Sequence, residues 1–148
     1  MKYGTLVFEQ SEFWMIQNHL ENNDIIEDYA HKNTLEILTQ NMNFALCLSA
    51  EDIPFDIITL NSMLKVRGES GICQTFQMVS PNEVDIKNNK ISVISSLGAS
   101  VIGRAVEDKI SYGLPGDLIS LKITKVNQPN TANKSTTEEQ KTKKEKIY

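Results

Sequence analysis

The sequence predicts an α+β protein in which a short N-terminal antiparallel helical hairpin precedes an antiparallel β-sheet wrapped around one short helix. Three observations carry that expectation. Apolar residues before Ser49 recur three and four apart, the spacing of one helix face. From Ile57 onward, β-branched and aliphatic residues fall in short runs cut by Gly, Asn and Pro, as strands do. Ile91 to Asp108, ISVISSLGASVIGRAVED, runs from an alternating strand through a Ser-Ser-Leu-Gly corner into an apolar segment too short to stand as a free helix. With 148 residues, 40% of them apolar, the chain can bury one ordinary core, or a small one with a helical appendage, but not two full ones.

Thr5 to Phe8 reads as a short extended lead-in. Ser11 followed by Glu12 marks a helix start, with the hydroxyl as N-cap and the carboxylate where the helix dipole favours an anion. Phe13, Ile16 and Leu20 follow at helical spacing, so a first helix from Glu12 to Asn22 is expected, ending at Asn22-Asn23. Asp24-Ile-Ile-Glu27 has the capping pattern for a second, short helix, and Asn33-Thr-Leu-Glu36 repeats it before a longer one. In that last helix Leu35, Leu38, Met42 and Ala45-Leu46 share a face able to pack on Phe13, Ile16 and Leu20. Ser49 to Asp56 breaks the period, and Pro54 is a poor tenant of a helix interior, so the hairpin is expected to occupy residues 1–48.

Ile57 to Arg67 and Ile72 to Ser80 read as two strands of a hairpin turned between Gly68 and Gly71. Pro81 to Asp85 makes a corner, Lys87 to Lys90 a polar turn, and Lys90 to Ile94 the next strand. Gly98 to Arg104 is expected to be the short helix, laying Leu97, Val101 and Ile102 on the sheet. Lys109 to Tyr112 and Leu118 to Val126 complete the strands, with a turn from Leu114 to Asp117. No connection is long enough for repeated parallel crossovers, so the sheet domain, residues 49–126, is expected to pair antiparallel. Residues 127–148, rich in Thr, Lys, Glu and Gln and nearly devoid of apolar side chains, predict a disordered polar tail.

The formal charge is -4 and the body carries no block of like charges, so composition gives no support to an extended phosphate-binding surface. Direct sequence-specific nucleic-acid binding is not expected. Cys47 and Cys73 lack metal-ligand spacing and read as reduced core residues. His19 and His31 have no accompanying catalytic set and read as surface residues, while Trp14 and Tyr29 read as packing residues of the hairpin. No phosphate-cradling glycine loop, secretory signal or membrane span is present. A cytoplasmic monomer without metal, other cofactor or catalytic residues is expected. Asp24 and Glu27 are the acidic pair of interest: on one helical turn this spacing can converge two carboxylates on a hard cation, but a helix cap or a solvated surface is the favoured reading.

IPFDIITLNS, from Ile53 to Ser62, is similar to the segment that joins helices to sheet in the Gre family of bacterial transcription elongation factors. Phe76 to Pro81, Ile91-Ser92-Val93, Leu97-Gly98, Gly103, Asp108 and Leu114-Pro115-Gly116 follow in step with that family's C-terminal domain. The likeness covers Ala45 to Val126 and is greatest to the short-armed, Rnk-like branch. Two positions depart from the family pattern. Ser96 stands where Pro is usual at the corner, and Glu107 stands where Gly is usual at the next turn, which predicts a turn without positive φ.

The resemblance implies a GreA/GreB-type, FKBP-like C-terminal domain that docks on RNA polymerase at the rim of the secondary channel. Ile94, Ser95, Ser96, Leu97 and Gly98 would form the docking corner. It also implies an N-terminal arm whose reach decides activity, since Gre arms carry tip carboxylates that help hold a catalytic magnesium ion. Asp24 and Glu27 correspond to that acidic tip. A first helix of about a dozen residues gives an arm on the order of 15–20 Å. The expected function is therefore polymerase binding that regulates transcription without stimulating transcript cleavage. The alternatives are a cleavage-stimulating factor using Asp24 and Glu27, and an adaptor with another partner. A prolyl isomerase is disfavoured, because the sheet region after Asp56, up to Val126, offers only Phe76 and Tyr112 as aromatic pocket lining.

Overall fold

The computed structural model of the chain describes residues 1–114 and 116–129. Its first elements are β1 (Val7–Glu9), α1 (Gln10–Glu21), α2 (Tyr29–Met42) and β2 (Leu46–Leu48). The remainder comprises β3 (Met63–Gly68), β4 (Cys73–Val79), β5 (Lys90–Ser92), α3 (Ser96–Val101), β6 (Lys109–Leu114) and β7 (Asp117–Asn127). The α+β expectation holds.

The main sheet has the order β5-β4-β3-β7-β6. Pairing is antiparallel for β3 with β4, β3 with β7 and β6 with β7, as expected from the short turns. At one edge β5 instead joins β4 in parallel, which makes the sheet mixed. Two 3-10 turns, Pro81–Glu83 and Ile86–Asn88, and a left-handed Asn89 fold the connection back on itself, so no crossover helix is needed. A second parallel pair, β1 with β2, forms a separate two-stranded ribbon.

One hydrophobic cluster unites helices and sheet. It contains Ile16 of α1, Leu35, Leu38 and Met42 of α2, Leu64 and Val66 of β3, Met78 of β4, Ile110 of β6 and Ile123 of β7. Gly98, Ala99 and Val101 of α3 are buried, and α3 packs on α2, β5 and β6, which is how so short a helix is stabilised.

Local rules competed at the helix starts. The carboxylate of Glu9, not the hydroxyl of Ser11, caps α1, accepting the N–H groups of Ser11 and Glu12. The separate helix expected at residues 24–27 and the later start at Asn33 do not form. A single helix begins at Tyr29, capped by Asp28, whose carboxylate accepts the His31 N–H at 2.8 Å. This start keeps Ala30, His31, Leu35, Leu38 and Met42 on the buried face.

Ile57 to Leu60 are buried but lie outside the strands, apart from an Ile57–Ala105 bridge. A turn at residues 59–62, with Asn61 at φ 68°, delays β3 to Met63. At the other end β7 continues to Asn127, and Gln128 is buried with its amide donating to the Pro54 and Ile57 carbonyls, both at 2.8 Å. Asn127 and Gln128, expected to lie in the tail, are thus part of the folded body; residues 130–148, the rest of the expected tail, lie outside the described residues. Both cysteines are free, but Cys73 is exposed on β4 and Cys47 only half-buried, so the core placement is corrected. Among the described residues no helix is long and apolar enough to cross a membrane.

Candidate functional site

The Ser-Ser-Leu-Gly corner is built by one serine using its hydroxyl twice. The Ser95 Oγ donates to the Ser92 carbonyl at 2.6 Å and accepts the Gly98 N–H at 3.0 Å, so it closes the strand end and caps α3 together. The Ser92 hydroxyl in turn accepts the Ile94 N–H at 3.0 Å. A Cβ on Gly98 would stand 1.9 Å from the Ser92 carbonyl oxygen, so backbone contact dictates glycine there. Ile94 and Leu97 pack against the main core. The corner is accordingly half-buried from Ile94 to Leu97, with Gly98 fully buried, where an exposed corner was expected.

Ser96 occupies the first position of α3, and Ser95 before it is extended at φ −75°, ψ 166°. Both conformations suit proline at position 96, so the serine there sits on a backbone that proline could also adopt.

His31 ties this corner to the α1–α2 loop. It is 4% exposed, contrary to the surface reading. Its Nε2 lies 2.7 Å from the Ile94 carbonyl, and its Nδ1 accepts the Glu27 N–H at 3.1 Å. One neutral tautomer, protonated at Nε2, satisfies both bonds. The signal was present in the spacing: His31, Leu35, Leu38 and Met42 are four, three and four residues apart, one helix face.

Asp24 and Glu27 are exposed, and they lie on the non-helical loop rather than on one turn of a helix. Exposed Ile25, Ile26 and Tyr29 flank them, at 72% for Ile25 and 68% for Tyr29. Trp14 is also outside the core at 67%, meeting only the edge of Phe13 among rings, so neither Trp14 nor Tyr29 is the packing residue expected. The loop and the corner are thus joined through a buried imidazole. Among the described residues, no group of three or more His, Cys, Asp or Glu converges to hold a metal ion.

The turn after α3 overturns the expectation for position 107. Glu107 has φ 81°, in the region that favours glycine. Its N–H reaches the Ile123 carbonyl at 2.7 Å, and its carboxylate lies 2.8 Å from the Lys122 ammonium, which holds the Glu107 carboxyl below its ordinary value. The next residue, Asp108, is buried and accepts the N–H groups of Ala105 and Lys2, both at 2.9 Å. Nearby, partial burial pushes the Asp56 carboxyl up. Hydrogen bonds from the Lys2 ammonium and the Tyr3 hydroxyl outweigh that effect and leave it below its ordinary value.

Comparison with known proteins reinforces the geometry. Residues 53–128 match the family described as transcription elongation factor, GreA/GreB, C-terminal. The chain is 33% identical over 89 residues to the regulator of nucleoside diphosphate kinase of Escherichia coli K12, covering 60% of this chain and 65% of that protein. It is 34% identical over 94 residues to transcription elongation factor GreA of Thermoanaerobacter pseudethanolicus, covering 63% and 58%. Both matches span less than two thirds of the relative's length. The fold is similar to a GreA/GreB transcription elongation factor structure from Nitrosomonas europaea, with TM-score 0.68, 23% identity, and coverage of 84% of this chain and 98% of that one.

Proposed function

Because the chain belongs to the GreA/GreB family of transcription elongation factors, we propose that it binds bacterial RNA polymerase and regulates transcription without stimulating transcript cleavage. The docking element is the corner from Ile94 to Gly98, at the rim of the secondary channel. The protein acts by occupancy, as a competitor for that entrance, and catalyses no reaction of its own.

The observation that carries this reading is the position of the acidic pair. Asp24 and Glu27 sit on a loop that His31 fastens to Ile94, beside the proposed docking corner. The helix leading to them has 12 residues, about 18 Å at 1.5 Å per residue, and Ile16 within it is part of the main core. Metal-assisted hydrolysis needs carboxylates within a few ångströms of the reacting phosphate, and a helix packed on its own body does not project them that far.

Two measurements test the proposal together. Purified polymerase core is expected to co-elute with the wild-type chain and to lose it when Leu97, half-buried at the corner, is replaced by Lys, provided circular dichroism shows that variant folded. Failure of the wild type to co-elute would sink polymerase as the partner. Backtracked complexes treated with wild type are expected to keep their transcripts uncut. Cutting that vanishes in Asp24→Ala/Glu27→Ala would instead establish a cleavage factor.

A further inference from the structure

The sheet register gathers cations that the sequence scatters. Arg67 on β3 lies directly opposite Lys122 on β7, and Lys122 lies directly opposite Lys109 on β6. In the neighbouring row Lys65 faces Lys125. Directly opposed residues of antiparallel strands share a face, and like charges so placed are destabilising. A bulge keeps them together: between Lys65 and Val66 the register shifts by one on β7, so Lys122 and Lys125, three apart, point the same way.

This face is solvent-exposed at Lys65, Arg67, Lys109 and Lys125 and half-exposed at Lys122. On the β4 side it continues through Cys73 and Thr75, which carry no charge to offset the row. Among the described residues the acidic side chains there are Glu107, paired with Lys122, and Glu69, which lines the same hollow of about 390 Å³ as Arg67, Lys109 and Lys122. Five cations against two carboxylates leave a positive face on a chain whose formal charge is -4. Lys109 also lines an adjoining hollow of about 140 Å³ with Arg104, whose Nε donates to the Ser100 carbonyl at 2.8 Å.

We propose that this sheet face binds the phosphate backbone of a single-stranded nucleic acid without reading its bases. The charge pattern selects a polyanion, because Glu107 compensates only Lys122 and the three like-charge cross-strand pairs are relieved further when negative charges lie across them. The regular rows suit a repeating anion. Phe76, the aromatic residue of β4, packs against the core and leaves this face without its ring to stack bases, so the contact is electrostatic. None of these cations belongs to the corner proposed to dock on polymerase, so the two surfaces act independently.

The test is fluorescence anisotropy with labelled oligo-dT and oligo-dA of about 20 nucleotides. The full chain is expected to bind both alike at low salt. Affinity should fall between about 50 and 200 mM salt with a log–log slope of about −2 to −4. The variant Lys65→Gln/Arg67→Gln/Lys109→Gln/Lys122→Gln/Lys125→Gln is expected to bind at least about tenfold more weakly. It should melt no lower than wild type, because relieved repulsion offsets the exposed Lys122–Glu107 pair. Absence of binding at low salt, or unchanged affinity in the variant, would overturn the proposal. So would tighter binding of poly-glutamate than of the oligonucleotide at equal charge concentration, which would assign the face to an acidic protein. A variant that unfolds is replaced by Lys65→Gln/Lys125→Gln, for which the same loss in the same direction is required.

Discussion

At the corner, Ser96 and Gly98 have opposite tolerances two residues apart. A methyl group on Gly98 would overlap the Ser92 carbonyl, whereas Ser96 sits at a helix position whose N–H has no intrahelical acceptor and whose φ proline pre-sets. Ser96→Pro is therefore expected to stabilise the protein by about 0.4–1 kcal/mol, chiefly by stiffening the unfolded chain, measurable by urea denaturation. A destabilised variant would show that the Ser96 N–H is needed. Glu107 is the converse case, a side chain held where glycine is comfortable. Glu107→Gly relieves that strain and loses only an exposed ion pair, so its melting temperature is expected to rise by about 2–4 °C. A fall would mean that the Lys122 pairing outweighs the backbone cost.

Among the elements, what could be read in the sequence divided along physical lines. The long alternating runs of β3, β4 and β7 were legible because their period alone specifies a strand. The start of α2 was not, because Asp24, Asp28 and Asn33 each offer a plausible cap, and burial of the helix face, a tertiary effect, selects Asp28. The parallel attachment of β5 was also hidden, since it depends on how two 3-10 turns stack rather than on any residue pattern. For the site, the corner was legible as a motif, but its link to the acidic loop runs through His31, whose helical spacing alone hinted at burial. The N-terminal segment shows how such links bear on stability. Because Asp56 is held below its ordinary value, its contribution is present above the unfolded carboxylate's pKa, about 3.9, and is lost as pH falls through the lowered folded value. Asp56→Asn should thus be less stable than wild type at neutral pH, with the gap closing below about pH 4. A gap that persists unchanged at pH 2 would exclude ionisation as its source.

For the whole molecule, Gln128 fastens the end of β7 to the connector: it is 7% exposed and bonded to two of the connector's carbonyls. A chain ending at Asn127 is expected to lose about 1–3 kcal/mol, because the Ile57 carbonyl loses the Gln128 amide while the Pro54 carbonyl keeps only the Ile57 N–H at 3.3 Å. A chain ending at Pro129 should melt with the full-length protein, since residues 130–146 bring almost no apolar area. Equal melting temperatures for both truncations would show that Gln128 contributes little.

The first strand is held by partners made much later. Val7 donates to the Gly103 carbonyl at 3.1 Å, and the Lys2 N–H reaches Asp108, 106 residues further along the chain. At synthesis rates of about 5–20 residues per second, Leu6, Val7 and Phe8 leave the ribosome roughly 5–20 s before those partners exist. During that interval these three apolar residues have only β2 and the helices to cover them, which makes the segment a natural client for a chaperone that shields extended hydrophobic segments.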